Sequence, residues 1–225
     1  MIARELLGSA QVPGGEELRL YRHGRDFIIG LGRNELMSTR MQFSEEQLAD
    51  LTIDRLSNSA PHILIGGYGM GFTLRAALQR IGVKGHATVV ELVPEIIEWA
   101  HGPMAQLTAD CLSDPRVSLR MGDVGDAIEQ IAEGGEPVDA ILLDVDNGPD
   151  GLVREANNRL YSREGLRFAR RALTKGGVLA IWSAAPDHKF TRKIESCGFD
   201  VEVREVRARP GNKGPRHTIW FAVPR

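Results

Sequence analysis

Short apolar runs alternate with amphipathic stretches over most of the sequence. Each run is nearly continuous, as is typical of strands buried on both faces of a parallel sheet. The runs lie at 62–66, 87–91, 117–121, 140–144 and 178–182. The stretches between them have helical spacing, with Pro94 in a first turn and Gly176–Gly177 predicted to stop a helix. This alternation predicts βαβ crossovers and therefore a doubly wound α/β sheet.

Both ends of the sequence depart from this alternation. Residues 16–38 carry short alternating patterns around the turn "HGRD", which predicts strands. Near the C-terminus, "DVEVREVRA" and "RHTIWFAV" flank a loop rich in Pro and Gly, which predicts a hairpin. We therefore expect residues 1–50 to hold a small β-hairpin appendage and a linking helix, and residues 51–225 to hold the α/β domain.

Charge and cysteine content narrow the class of protein. Lys and Arg number 28 against 30 Asp and Glu, so the net charge of −2 gives no general attraction to nucleic acid or membrane. Cys111 and Cys197 lack a metal-ligand spacing and fit a reducing compartment. The N-terminus shows no signal-peptide core, and no window reaches the roughly 18 apolar residues of a membrane span. We expect a soluble cytoplasmic protein without a membrane, nucleic-acid or metal partner.

A glycine-rich loop, Gly66–Gly71, follows the first apolar run directly. Missing Cβ atoms allow positive φ angles and a close approach of the backbone to a ligand, and the helix that follows offers free N–H groups. The spacing G-x-G-x-G fits neither the G-x-G-x-x-G dinucleotide fingerprint nor the lysine-containing phosphate loop. It is similar to the first motif of class I S-adenosylmethionine-dependent transferases. A tight turn without a ligand is the alternative.

Carboxylates follow three successive predicted strands. Glu91 ends the second strand, where its two oxygens could accept both hydroxyls of a ribose. Asp123 follows the third strand, near the expected place of an adenine amino group, and Asp144 follows the fourth. Each acid alone would be an ordinary loop residue or helix cap. Together, and after a glycine loop, they predict a site for an adenosyl-sulfonium compound at the carboxyl edge of the sheet.

The order and spacing of longer motifs carry a resemblance to a known family. The segments "ILIGGYGMGFTLR", "VVELVPEIIEWA", "MGDVGDAI", "VDAILLDVDNGP" and "REGLRFARRALTKGGVLAIWS" together resemble the spermidine synthase family over about residues 60–185. The resemblance implies a Rossmann-like class I methyltransferase fold, with a seven-stranded, mostly parallel sheet whose last strand is antiparallel. It also implies a small N-terminal β domain and a homodimer. Residues 51–225 would then be a nucleoside-binding catalytic domain.

The resemblance also implies roles for individual residues. The donor in this family is decarboxylated S-adenosylmethionine, whose aminopropyl group moves to an amine of a polyamine without a metal. Asp144 matches the catalytic carboxylate that accepts a proton from the attacking amine, and Asp146 is a second candidate. The positions that match donor binding are Gly67, Tyr68, Gly69, Gly71, Glu91, Leu92, Asp123, Val124 and Asp144.

Three departures from the family pattern affect the choice of donor and acceptor. The family has an aspartate at the position of Gly69, which holds the amine of the aminopropyl donor. Its D-x-x-D-P motif becomes "DVDNGP", with Asn147 near the place of the second acid. The segment "FSEEQLADL" lacks a tyrosine; Glu45 and Glu46 could serve a cationic substrate there, but exposed helix glutamates are the favoured interpretation.

These losses favour intact S-adenosylmethionine as the donor and methyl transfer to a small, amine-containing acceptor as the reaction. Aminopropyl transfer from the decarboxylated donor to a polyamine is the alternative, and a non-catalytic nucleoside-binding module is a second one. Trp182 and Ser183, at the end of the fifth strand, are candidates for the acceptor pocket, whereas Trp99 is predicted to lie in the core.

Overall fold

The computed structural model describes residues 4–32, 34–107, 109–145 and 158–225. Within them lie a four-stranded antiparallel sheet near the N-terminus and a seven-stranded mixed sheet. We call these the N-terminal sheet and the main sheet. Asp146 and Asn147 fall outside the described residues.

The N-terminal sheet is a simple meander with strand order β1-β2-β3-β4. Its strands are β1 (Glu5–Gln11), β2 (Glu17–His23), β3 (Asp26–Leu31) and β4 (Asn34–Ser38). Strands β2 to β4 lie where the alternation predicted strands. Strand β1 was missed because most of it is exposed and its pairing with β2 is irregular near Gly8, so it lacks a clear alternation. Helix α1 (Phe43–Ile53) leads from this sheet to the main sheet.

The main sheet is built from alternating strands and helices. In chain order these are β5 (His62–Gly66), α2 (Phe72–Arg80), β6 (His86–Glu91), α3 (Pro94–His101), a 3-10 turn (Cys111–Ser113), β7 (Val117–Met121), α4 (Val124–Ala132), β8 (Val138–Leu143), α5 (Arg163–Ala172), β9 (Leu173–Ser183), α6 (His188–Ser196), β10 (Phe199–Arg209) and β11 (Lys213–Pro224). The strand order is β10-β11-β9-β8-β5-β6-β7, and β11 is antiparallel to both of its neighbours. The predicted Rossmann-like sheet with an antiparallel last strand is therefore confirmed.

Burial on both faces explains why the central strands are continuous apolar runs. In β5, Ile63 and Ile65 belong to one hydrophobic cluster and Leu64 belongs to the cluster on the opposite face. Side chains alternate between the faces of a strand, so covering both faces with helices requires an apolar residue at every position. Trp99 is buried on α3, beside Gly8 of β1, which agrees with its predicted place in the core.

The predicted helix stop at Gly176–Gly177 is wrong. Helix α5 ends at Ala172, and the backbone is already extended at Leu173, the first residue of β9. The pairing of β8 with β9 shifts register between Leu173 and Val178, so both glycines lie in an irregular part of the strand. Gly176 has a φ of 79°, which a bulge of this kind accommodates most easily with glycine.

Candidate active site

One cavity lies at the carboxyl edge of the main sheet, where the order of strands reverses between β5 and β8. Its volume is about 940 Å³, counting the space at its mouth. The main sheet and its loops contribute Gly67, Gly69, Val90, Glu91, Leu92, Val93, Ile96, Gly122, Asp123, Val124, Asp144, Val145 and Trp182. Helix α1 contributes Glu45, and the N-terminal segment contributes Val12, Leu18, Ile29, Leu36 and Met37. We call the acids Glu45, Glu91, Asp123 and Asp144 the floor of the cavity, and the apolar side chains of the N-terminal segment its wall.

The glycine loop has the backbone conformation that its sequence predicts. Gly67, Gly69 and Gly71 have φ angles of 84°, 54° and 77°. A Cβ atom on Gly67 would overlap the backbone oxygen of Asp144, because the loop passes directly against the end of β8. Gly71 precedes the first turn of α2 in the left-handed region. Gly67 and Gly69 line the cavity, and Gly71 provides the entry to the helix.

Glu91 holds this loop to the end of β6. Its Oε2 accepts a hydrogen bond from Tyr68 N (2.8 Å), and its Oε1 accepts from Leu92 N (2.8 Å) and Val93 N (2.9 Å). Burial raises the pKa of Glu91, and the backbone donors oppose that shift. A carboxylate accepts about four hydrogen bonds. A ribose diol would therefore share Glu91 with the loop amides, which makes this residue an organiser of the loop as well as a candidate ligand group.

Asp123 and Val124 lie where β7 leads into α4. Asp123 Oδ1 accepts a hydrogen bond from Gly125 N (2.8 Å), so this aspartate is the N-cap of α4 and also faces the cavity. Leu92 and Val124 supply apolar surface beside Glu91 and Asp123. We call this end of the cavity, which combines carboxylate acceptors with apolar side chains, the nucleoside end, after the role that the sequence predicts for it.

Asp144 lies directly after β8 and also lines the cavity. Its backbone N–H donates to Gly66 O (3.0 Å), and its Oδ2 accepts a hydrogen bond from Thr73 Oγ1 (2.7 Å). Burial raises the pKa of Asp144 from its ordinary value near 3.8 to about 6. The sequence analysis did not single out Thr73, although its position in the first helical turn after the loop is a usable signal. Asp144 and Thr73 form a fixed carboxyl group suited to proton transfer near neutral pH.

Glu45 is buried, which contradicts its interpretation as an exposed helix glutamate. Its exposed fraction is 6% because α1 packs with Glu45, Leu48 and Ala49 facing inward. Its side chain makes no hydrogen bond within the described part of the chain and lines the cavity. Burial, the nearby Asp144 and then Glu46 raise its pKa well above the usual range. Glu46 differs from it, since it is half-buried and forms an ion pair with Arg75.

The remaining candidate site residues differ in whether their side chains line the cavity. The Trp182 side chain lines the cavity, and its ring packs edge-on against His217 with 4.7 Å between ring centroids. Ser183 does not line the cavity; its hydroxyl bonds the backbone of Ala185. Tyr68 contributes its backbone N–H to the loop, while its buried hydroxyl lies 3.7 Å from Cys111 Sγ. Asp146 is outside the described residues.

The described residues were compared with two kinds of feature, metal sites and membrane-spanning helices, and hold neither. No group of three or more His, Cys, Asp and Glu side chains there has the arrangement of a metal site. Among the same residues, no helix is long and apolar enough to cross a membrane. The cytoplasmic location and the homodimer stay predictions.

The buried acids lead to a prediction about stability. A carboxyl whose pKa is higher in the folded chain adds stability below its unfolded pKa, and that contribution is lost as pH rises through the folded pKa. For Glu45 the loss begins near its ordinary value of 4.5 and continues upward. We therefore expect Glu45→Gln to raise Tm by about 2–5 °C at pH ~8 and to change it little at pH ~4. Thermal unfolding followed by circular dichroism measures this.

The matched control is Glu46→Gln, on the same helix turn. It removes a carboxylate that is paired with Arg75, so it should not raise Tm at pH ~8. A Tm of Glu45→Gln that is lower than the parent value at both pH values would contradict an unpaired, buried carboxyl at this position.

Comparisons with known proteins return polyamine aminopropyltransferases and spermidine synthases. No family model matches the chain. A polyamine aminopropyltransferase of Mycobacterium tuberculosis (strain ATCC 25618 / H37Rv) is 29% identical over 192 residues, which is 83% of this chain and 35% of the relative. One from Corynebacterium efficiens is 29% identical over 177 residues, covering 74% and 33%. The chain thus spans about a third of the length of these curated relatives (35% and 33%).

Solved structures of spermidine synthases share the fold. One in complex with the transition state analogue AdoDATO has a TM-score of 0.77 and 19% identity, covering 96% of this chain and 73% of that chain. The spermidine synthase from Thermotoga maritima has a TM-score of 0.74 and 20% identity, covering 96% and 71%. At these identities the likeness establishes the fold alone.

The sequence-based preference for methyl transfer, and with it the methyltransferase class, is wrong. The curated relatives are named for aminopropyl transfer, which was the alternative. The methyl-transfer prediction rests on the missing acid at Gly69 and on an exposed position for Glu45. The structure places Glu45 inside the same cavity. The sequence relatives and the shared fold support the resemblance of this chain to the spermidine synthase family.

Proposed function

We propose that the protein transfers an aminopropyl group from decarboxylated S-adenosylmethionine to an aliphatic amine. The observation that carries this proposal is the joining of two acids, Asp144 and Glu45, to the nucleoside end in a single cavity with an apolar wall. The names of the curated relatives support the same reaction. Because the chain covers 35% of the first of them, the activity itself requires a direct test.

The charge of the cavity favours a cationic donor. Its lining contains four acids (Glu45, Glu91, Asp123 and Asp144), and the described part of the lining holds no Lys, Arg or His. Intact S-adenosylmethionine carries a carboxylate on its tail, and that charge would lie near the like charge of Asp144. The decarboxylated compound presents an ammonium and a sulfonium instead. Opposite charges are favoured and like charges are disfavoured in such a partly buried site.

The apolar wall favours an acceptor with a hydrocarbon chain. Val12, Leu18, Ile29 and Leu36 from the N-terminal segment face the cavity, and Trp182 of β9 adds an aromatic surface. Methylene groups gain free energy when they leave water for such a wall, while an ammonium gains from the acids beside it. A linear diamine or polyamine combines both features.

Asp144 supplies the proton acceptor that this reaction requires. An ammonium has no lone pair, so the acceptor amine must lose a proton before or during attack. The amine nitrogen then attacks the methylene carbon bonded to the sulfonium. A C–N bond forms while the C–S bond breaks, the sulfur leaves as a neutral thioether, and the proton passes to Asp144. With its pKa near 6, Asp144 is ionised at neutral pH, and Thr73 holds the carboxyl in place through Oδ2.

The test is a direct assay of both donors. The purified protein is incubated with decarboxylated S-adenosylmethionine and a panel of linear diamines and polyamines. The products are separated by chromatography and identified by mass spectrometry. We expect methylthioadenosine and an aminopropylated amine to form in equal amounts. Parallel reactions with intact S-adenosylmethionine should give no S-adenosylhomocysteine. Formation of S-adenosylhomocysteine without methylthioadenosine would overturn the proposal.

A further inference from the structure

Gly69, the loop position that the family resemblance matches to the donor tail, carries no acid. Gly69 lines the cavity, and a Cβ atom added there would lie 2.8 Å from Met37 Cε and 3.0 Å from its Sδ. The φ of Gly69 is 54°, so a longer side chain would be strained as well as crowded. The side chain of Met37, from the N-terminal sheet, occupies this space. A negative charge for the ammonium of an aminopropyl tail must therefore come from another element.

Glu45 has the burial and the direction that this role requires. It is the third residue of α1, where a glutamate often turns back to bond the N-cap backbone. Here it makes no hydrogen bond to any residue in the described ranges, although 94% of it is buried, and it faces the cavity instead. Its neighbours are engaged elsewhere: Ser44 with His217 and Glu46 with Arg75.

The backbone around Glu45 lies close to the glycine loop. Its carbonyl oxygen is 3.4 Å from Thr73 Oγ1, and Thr73 is the second residue of the helix that follows Gly71. The Thr73 hydroxyl donates to Asp144, so Glu45, Thr73 and Asp144 lie together beside the glycine loop. The apolar wall expected to hold the acceptor chain comes from the N-terminal sheet. Glu45 is thus a neighbour of Thr73 and Asp144, the residues that follow the glycine loop and β8.

We propose that Glu45 binds the terminal ammonium of the aminopropyl donor and selects the decarboxylated donor over intact S-adenosylmethionine. This assignment rests on the proposed function. The two carboxyls then divide the work, since Glu45 holds the donor amine while Asp144 receives the proton of the acceptor amine. A buried acid without a partner is costly in the empty protein, and the ligand ammonium removes that cost.

Calorimetric titration with three nucleosides tests the assignment. The ligands are decarboxylated S-adenosylmethionine, intact S-adenosylmethionine and methylthioadenosine, which lacks the aminopropyl tail. We expect Glu45→Gln to weaken binding of the decarboxylated donor by about 10- to 100-fold, as for a lost hydrogen bond to a charged group. Methylthioadenosine should bind within about 2-fold of its parent affinity, because it does not reach this carboxyl. Glu46→Gln, the control, should leave all three affinities unchanged.

Proton linkage gives a second readout. If Glu45 is protonated in the free protein and ionised beside an ammonium, binding the decarboxylated donor releases a proton. Titrations in buffers of different ionisation enthalpy should show this release for the parent and not for Glu45→Gln. Methylthioadenosine, which lacks the ammonium, should show no such release in either protein.

The outcomes separate the possible failures. Unchanged binding of the decarboxylated donor by Glu45→Gln, with a raised KM for the amine, would overturn the assignment and place Glu45 at the acceptor. Equal weakening of the donor and of methylthioadenosine would also overturn it, because Glu45 would then support the fold of the site. If the parent protein binds none of the three nucleosides, the proposed function fails, and the assignment fails with it.

Discussion

Replacing Asp144 by Asn is expected to lower kcat/KM for aminopropyl transfer by about 10²- to 10⁴-fold, the usual contribution of a positioned general base. The amide keeps the size of the carboxyl and can still accept the hydrogen bond from Thr73. It cannot accept the proton of the attacking amine. Binding of methylthioadenosine should stay within about 3-fold of the parent, because the nucleoside end is unchanged. Initial rates of methylthioadenosine formation and calorimetry measure the two quantities.

Thr73→Val supplies a graded comparison for Asp144→Asn. The hydrogen bond from Thr73 lowers the pKa of Asp144, against the raising effect of burial. Its loss should therefore raise that pKa and move the acidic limb of the rate profile to higher pH, with a rate loss of about 10-fold or less at pH ~8. A variant Asp144→Asn that keeps more than about a tenth of the parent rate would remove Asp144 from the role of base.

Gly67→Ala is expected to destabilise the fold by about 2–5 kcal/mol and to abolish nucleoside binding. The φ of 84° is unfavourable for any L-residue with a side chain, and the added methyl group would overlap the backbone oxygen of Asp144. The loop must then move away from the end of β8. Thermal unfolding should show a Tm lower by about 5–20 °C, since each kcal/mol corresponds to about 2–4 °C in a chain of this size.

Gly176→Ala separates the two causes. Gly176 has a φ of 79°, close to that of Gly67, but no atom lies within 4 Å of the place of its Cβ. This control should therefore lose about 1–2 kcal/mol through backbone strain alone and keep its affinity for methylthioadenosine. Equal destabilisation by the two substitutions would show that the contact with Asp144 is unimportant.

Features set by local chemistry could be predicted from the sequence. The apolar runs of β5 and β8 predicted strands because both faces of the main sheet are covered. The glycines at 67, 69 and 71 predicted left-handed backbone, and all three have it. The acids at 91, 123 and 144 line one cavity because parallel strands end at the same edge. The binding roles given to these residues stay predictions.

Features set by contacts between distant segments could not be predicted from the sequence. The buried face of α1 includes Ser44, Glu45 and Thr52, so its polar pattern resembles that of a solvent-exposed helix. Its packing against α2 and the main sheet decides which glutamate turns inward. The position of Met37 over Gly69 depends on how the N-terminal sheet docks, and no periodicity within either segment contains that information. The methyl-transfer prediction, which is wrong, assumed an exposed Glu45, and the burial of that residue depends on these contacts.

The residues of the apolar wall come from a different segment of the chain than the acids proposed to bind and react. Val12, Leu18, Ile29 and Leu36 touch the cavity, yet none of them belongs to the glycine loop or to the acids on the floor. Under the proposed function, exchanging these four residues for smaller or larger ones should alter which amine length is accepted, while the reacting groups keep their positions. Changes among residues 12–36 could therefore give a new acceptor preference. The proposed reacting groups would be kept at each step.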